Sequence, residues 1–468
     1  MEIPIVGGAY EGRSKNLNAQ VCQNLFPVVD PTGKKQAALM STAGLTKWVS
    51  LAGGSEIRAM IKADNELYVV SGDKVYMITT GGTPTLQTGT LSNNSGRVYM
   101  AYTLDDVVIV DPEDGNGYYI ERSGSTIARI TDEDFPDATS LTFQDGYYIV
   151  TQRNTGRVFI SASLDPTNWD ALNYATAEGS PDFAVMVISH LLELWIFGQR
   201  SIEVWYNSGD PDYPFDRVPG SYQDKGLGAQ FSVGAGDNRL YFLGHDWSVY
   251  MSQGLQITRI STPQVDYQIS KMSVKTDAIG YAYTHEGTTF YVLTFPSDNF
   301  TLVYDSTTSV WHTRASGVNE ARHPINCATQ YASKIICGHY SNGKLLYYDY
   351  DNYTDDGDML IRKRRTKAVD SERRQIFHHA LEVEFEAGVG LQTGQGSDPQ
   401  AMLRFSDDGG HQWGYEHWVD IGKVGIYRNR ARWKKLGRSR ERIYEIVVSD
   451  PVPVRMLSAY LDATIGAY

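Results

Sequence analysis

At 468 residues the chain is too long for one compact core, so two or three domains are expected. A hydrophobic fraction of 41% suits a globular protein, and no run approaches the ~18–20 apolar residues of a membrane helix. The net charge of −13 is unevenly shared: residues 1–360 hold 24 Lys/Arg against 41 Asp/Glu, and residues 361–468 hold 18 against 14, so the body repels phosphates and non-specific DNA binding is disfavoured.

The opening stretch, MEIPIVGGAYEGRSKNLNAQ, has no basic segment followed by an apolar one, so no secretory signal is expected. Cys22, Cys327 and Cys337 are too few for a disulfide framework, which suits synthesis in a reducing cytoplasm. Residues 1–51 are irregular and read as an N-terminal arm. From there to residue 360 a hairpin recurs: strand, short polar turn, strand, with alternating apolar residues. Copies begin at Asn65 (NELYVVSGDKVYMI), Asp105, Asp145, Leu191, Asp237, Gly287 and Ser333. Gly, Asn and Asp at the tips suit hairpin turns. The starts are 40, 40, 46, 46, 50 and 46 residues apart, close to the ~40–50 residues of a four-stranded propeller blade. Each copy also has an apolar strand upstream, such as VYMAYT before the second. Residues 52–360 are therefore expected to form a β-propeller, seven-bladed by repeat count with six possible. A long β-sandwich with hairpins is the alternative. Cys327 and Cys337 should face each other across the turn at Tyr331–Ser333 as buried, reduced thiols.

Residues 349–359 (DYDNYTDDGDM) are rich in Asp, but Tyr353 stands where a third calcium ligand would be needed, so they read as a solvated acidic loop. A basic run from Arg362 to Arg374 (RKRRTKAVDSERR) ends the repeats. Three long β-type segments follow, and residues 361–468 are expected to form a small C-terminal β-sandwich. Within it RFSDDGGHQWGYEHW holds Ser406, Asp408, Gly410 and Trp413 in the S-x-D-x-G-x-x-W spacing of an Asp box. In that motif the Ser and Asp side chains tie down a hairpin turn, Gly permits the bend and Trp packs beneath. Sialidase chemistry would also need an arginine cluster and an activated Tyr nucleophile. The box occurs once, outside the repeats, so it reads as a structural turn. His378 and His379 are adjacent, point to opposite faces of a strand and cannot share a metal. No zinc spacing, phosphate loop or G-x-S-x-G elbow is present. No catalytic residue, metal or cofactor is expected.

The segment RNRARWKKLGRSRERIYEI is different. Arg428, Arg430, Arg432 and Lys434 alternate, as do Arg438, Arg440 and Arg442, and on a strand each set would share one face. Such a face serves either as a charged edge that blocks aggregation or as a docking surface for an acidic partner; direct DNA readout is the weaker reading. We take it as the candidate assembly face.

Several stretches resemble the packaged-DNA stabilisation proteins of short-tailed bacteriophages, also called tail hub or nozzle proteins. They are VFISASLDPTNWDALNYATAEGSPD (158–182), IFGQRSIEVWYNSGDPDYPFDRVPGSYQDKGLGAQFSV (196–233) and RWKKLGRSRERIYEIVVSDPV (432–452), with NLFPVVDP and STAGLTKW near the start. The likeness covers most of the chain, in order. It implies a non-enzymatic virion protein of the tail, made in the host cytoplasm, that attaches below the portal-adaptor ring and closes the DNA channel after packaging. It also implies a homo-oligomeric ring, usually of six copies. That ring would support distal tail parts such as needle, spikes or fibres, and would let DNA pass through its lumen at ejection without sequence-specific binding. Two other classes make different demands. A carbohydrate-active, sialidase-like propeller would repeat its Asp boxes, and a monomeric propeller interaction module of the WD40 kind would repeat G-H…W-D. Neither repeat is present; GHDW at Gly244–Trp247 occurs once.

Overall fold

Each of the seven hairpins supplies the two middle strands of a four-stranded antiparallel sheet. The first comprises Ile57–Ala63, Glu66–Ser71, Lys74–Thr79 and Pro84–Leu86. Sheets of the same order follow over residues 99–129, 138–176, 184–217, 234–259 and 279–313. The computed structural model describes residues 1–466 except Pro31, Lys34 and Glu178.

The seventh sheet takes three strands from its own repeat, Ile325–Tyr331, Lys334–His339 and Lys344–Asp349, and its fourth from far away. That fourth strand, Gly44–Ser50, runs antiparallel to Lys344–Asp349, with Gly44 opposite Asp349 and Ser50 opposite Lys344. A ring of blades has one seam, and an N-terminal strand on the last blade ties it with main-chain hydrogen bonds. The packing agrees. Seven separate apolar cores lie one at each blade-to-blade interface, and the last, with Val49, Ile57, Val69, Ile336 and Leu345, joins blade seven to blade one. The first strands of successive blades touch each other, so they line the axis. The fold is a β-propeller followed by a β-sandwich.

Two tightly pleated sheets form the sandwich. One runs Leu25–Val29, Ala37–Ser41, Arg455–Ile465, Ile376–Phe385 and Ala431–Lys434; the other runs Ala19–Gln23, Arg362–Arg365, Glu441–Val448, Gln400–Ser406 and His417–Asp420. Their inner faces enclose a core that includes Leu39, Leu381, Trp433, Leu403 and Ile446. The second sheet continues into blade six, because Gln23 pairs with Thr313.

Residues 1–51 are thus not a separate arm. Glu2–Ile3 pairs with Arg455–Ile465, and Ala19–Gln23 pairs with Arg362–Arg365, so most of the segment is sandwich and its end is propeller. These short strands have partners about 300 residues away or more, and nothing local marks them. The basic run from Arg362 is likewise built into a sheet. Arg362 and Arg364 point inward and are fully buried. Arg364 donates to the carbonyls of Ile5 (2.6 Å), Gly8 (3.0 Å) and Val21 (3.3 Å) and to Gln20 Oε1 (2.9 Å), which pins the N-terminal segment. Cys327 and Cys337 are buried and free, but they do not face each other. A bulge after Ile325 sets Cys327 opposite Gly338 and Cys337 opposite Ala328. The two thiols therefore enter different cores.

Candidate assembly surface

The Asp box closes the turn after Gln400–Ser406 through its own hydrogen bonds. Ser406 Oγ donates to Asp408 Oδ1 at 2.7 Å and accepts from the amide of Gly410 at 2.9 Å. Asp408 Oδ1 accepts from the amides of His411 and Gln412, each at 2.9 Å. Gly410 has φ +90, a conformation that glycine adopts without penalty. The amide of Gln412, then the Ser406 hydroxyl, hold the Asp408 carboxyl below the usual carboxylate range. Trp413 lies across two guanidiniums, Arg365 at 4.7 Å and Arg404 at 5.0 Å from its ring. Both arginines bond the buried Glu445, Arg365 Nη2 at 2.7 Å and Arg404 Nε at 2.6 Å. Ser406, Asp408 and Gly410 thus close the turn on itself, and Trp413 packs it onto the sandwich sheet. The Arg365–Glu445–Arg404 bridge beneath could not be read from spacing, because its members come from three strands that pair across the sheet.

The cationic segment divides. Arg430 precedes the strand Ala431–Lys434, on which Arg432 and Lys434 are exposed while Ala431 and Trp433 face the core. The chain then bulges at 435–437, where Lys435 (φ +58) and Gly437 (φ +80) turn left-handed, and resumes beside the same neighbour at Arg438–Ser439. The whole stretch is an edge of its sheet. Arg428, in the preceding turn, and Arg430, Arg432, Lys434, Arg438 and Arg440 are exposed.

Arg442 does not belong with them. It is 2% exposed, binds Asp407 through Nε (2.6 Å) and Nη2 (2.7 Å) and lies 3.9 Å over the Phe405 ring. The alternation survives the bulge at 435–437, since Arg438 and Arg440 are exposed, and ends after Arg440, where the chain passes from this sheet to the other and Glu441–Val448 becomes an inner strand.

On the exposed edge Arg432 meets Asp462 at 3.4 Å and Glu382 at 4.0 Å, and Arg430 meets Glu382 at 3.7 Å. Arg428, Lys434, Arg438 and Arg440 have no ion-pair partner among the described residues. In the turn before this edge Val424, Ile426 and Tyr427 expose apolar surface, as does Trp418 on the outer strand of the other sheet. The arrangement supplies unspent positive charge, apolar contact area and a sheet edge. No cluster of three or more His, Cys, Asp or Glu among the described residues could hold a metal ion.

His378 and His379 stand as their spacing requires, one buried and one exposed. His378 is bonded at both nitrogens, to Ser439 Oγ (2.8 Å) and the Tyr444 hydroxyl (2.7 Å). Burial and the Arg442 charge push its pKa down to about 4.

Two family descriptions match consecutive parts of the chain. Residues 1–353 match "Bacteriophage P22 Gp10, beta-propeller" and residues 361–464 match "Bacteriophage P22 Gp10, beta-sandwich". The tail hub protein gp10 of Salmonella phage P22 is 22% identical over 432 residues, which is 88% of this chain and 89% of that protein. Among solved structures, a virginiamycin B lyase from Staphylococcus aureus aligns over 65% of this chain and 98% of its own at 13% identity, with a TM-score of 0.45. YCF48 from Cyanidioschyzon merolae aligns over 66% of this chain and all of its own at 11% identity, with a TM-score of 0.44.

Proposed function

This chain belongs to the bacteriophage P22 Gp10 family, a family of structural tail proteins and not of enzymes, and from that premise we propose that it is a ring-forming tail hub, or nozzle. The ring, of six copies, attaches below the portal-adaptor, closes the DNA channel after packaging and supports the distal needle, spikes or fibres. DNA leaves through its lumen at ejection. The observation that carries this reading is the match to both domains, in order and over nearly the whole chain.

The surface chemistry supports it. A propeller with four closed strands per blade leaves short, protected edges and makes a rigid block. The sandwich adds an exposed cationic edge to a molecule whose first 360 residues are strongly acidic, and a ring needs two different patches that fit one another. A predominantly acidic wall lets DNA slide without sequence readout. Electron microscopy of the chain mixed with its portal-adaptor ring tests the proposal. Six-fold density added below the adaptor is expected, and a chain that remains monomeric and unattached would refute it.

A further inference from the structure

The turn between the first and second strand of a blade lies on one face of the propeller, beside the axis. In five blades its exposed tip carries an acid: Asp64, Asp105, Asp145, Asp237 and Glu286. Blade seven has Ala332–Ser333 there, and blade four departs further. Its turn is Leu191–Leu192, with φ +54 and +68, a left-handed conformation that bulky residues adopt only at a cost. The two side chains are 59% and 81% exposed. Leu164 of blade three is also left-handed (φ +57) and 58% exposed, and Leu104 of blade two is 79% exposed. Exposed apolar side chains on strained turns stabilise nothing in the single chain.

Leu104 and Leu164 line a depression of about 660 Å³ at the axial mouth, together with Ile61, Met100, Phe143, Asp64, Asp105 and, from blade four, Ser189, two residues before the Leu191–Leu192 turn. The site is held rigid. Arg122 reaches Asp64 (2.8 Å) and the carbonyls of Thr103 (3.0 Å) and Leu104 (3.1 Å), and Gln144 donates to the Leu192 carbonyl at 2.8 Å. Like charges crowd the wall: after burial, the neighbouring Asp105, Glu121 and Asp165 raise the Asp106 carboxyl above its ordinary range. Arg122, the one cation lining the adjoining acidic hollow, is engaged by these contacts. The surface therefore calls for a partner with apolar side chains beside unspent positive charge.

One such surface is on the chain itself. The sandwich edge offers the exposed cations Lys434, Arg438 and Arg440, and the same sandwich exposes Ile426 and Tyr427 in the turn before that edge and Trp418 on the outer strand of the other sheet. We propose that the axial mouth on blades one to four receives the cationic sandwich edge of a second copy. This rests on the ring reading and names its two faces, which are different patches, as a heterologous contact requires. Complementary charge sets the register, and the leucines and aromatics fill the contact.

The test uses full-length chain assembled on the adaptor. Zero-length carboxyl–amine crosslinking is expected to join Lys434 or Lys435 of one copy to Asp105, Asp145 or Glu193 of another. Leu104→Ser with Leu192→Ser should weaken copy-to-copy association at least about tenfold, as judged by sedimentation, while the monomer melts as before, since both side chains are exposed. Rings that form with all crosslinks elsewhere, and that tolerate both serines, overturn the assignment of faces and leave the ring standing. Crosslinks from the mouth to the adaptor or another tail protein overturn the second copy as occupant. A chain that forms no ring on the adaptor removes the ring reading and this proposal with it.

Discussion

Single residues show where spacing is a reliable guide and where it fails. The Asp box was legible because its hydrogen bonds join residues two to four apart. Asp408→Ala is expected to lower the melting temperature at pH 7 and to speed hydrogen exchange at the amides of His411 and Gln412; unchanged protection there would contradict the assigned role. Arg442 departs from the pattern because the chain crosses from one sheet of the sandwich to the other after Arg440, a change of backbone that composition does not announce. Buried histidines were also invisible in the sequence. His312 and His323 are fully buried beside Arg314, and burial first, then that charge, depresses both well below the usual imidazole value. His378 is pushed down to about 4. Each folded pKa lies below the unfolded ~6.5, so on acidification the unfolded chain takes up protons first. The stability these neutral imidazoles allow is complete above about pH 6.5 and is lost as the pH falls toward 4. Asp355, raised to about 6 by burial, opposes the trend: the cost of ionising it in the fold is relieved over the same range. Three histidines outweigh one carboxyl, so the melting temperature should fall between pH 7 and 4.5. A flat profile over that interval would count against the account.

At the scale of elements, strands with a local partner could be read and strands with a distant one could not. All seven hairpins are where alternation and turn residues place them, because their pairing closes over a few residues. Ala19–Gln23 and Gly44–Ser50 show no clean alternation, and their destination is a tertiary fact. Arg362–Arg365 gave no sign of its place in another way, since a run of four basic residues shows no apolar alternation, whereas Arg364 is spent on buried carbonyls of the N-terminal segment. Arg364→Met should therefore cost about 3–5 kcal/mol, because it leaves several of those carbonyls unpaired in the interior. It should also raise hydrogen exchange across residues 2–11 before the propeller is affected. Denaturant melts and peptide-level exchange measure both, and an unaltered N-terminal exchange pattern would show that the segment is held by its strand pairing alone.

For the whole molecule, the repeat period conveyed the architecture, while the closing of the ring by an N-terminal strand and the sharing of residues 1–51 between both domains did not appear in it. The charge asymmetry did, and it bears on assembly. The acidic body and the exposed cations Arg430, Arg432, Lys434, Arg438 and Arg440 lie on separate domains. Arg432 is partly neutralised within the chain by Asp462 and Glu382, whereas Lys434, Arg438 and Arg440 have no ion-pair partner among the described residues, which the proposed contact with a neighbour would supply. Contacts of this exposed kind are screened within about 8–10 Å at physiological salt, and they set rate and register more than the final affinity. Reversing Arg432 and Arg440 to Glu is therefore expected to block joining to the adaptor or the next copy, with the monomer's stability changed by no more than about 0.5 kcal/mol, as for exposed substitutions in general. Raising the salt from about 50 to about 500 mM, which shortens the screening length roughly threefold, should slow the same step in the wild type and leave the already impaired variant nearly unaffected. Light scattering during mixing follows both. If the double variant assembles at the normal rate yet loses an affinity for duplex DNA that the wild type shows, the edge faces the channel, and its positive charge meets phosphate and not protein.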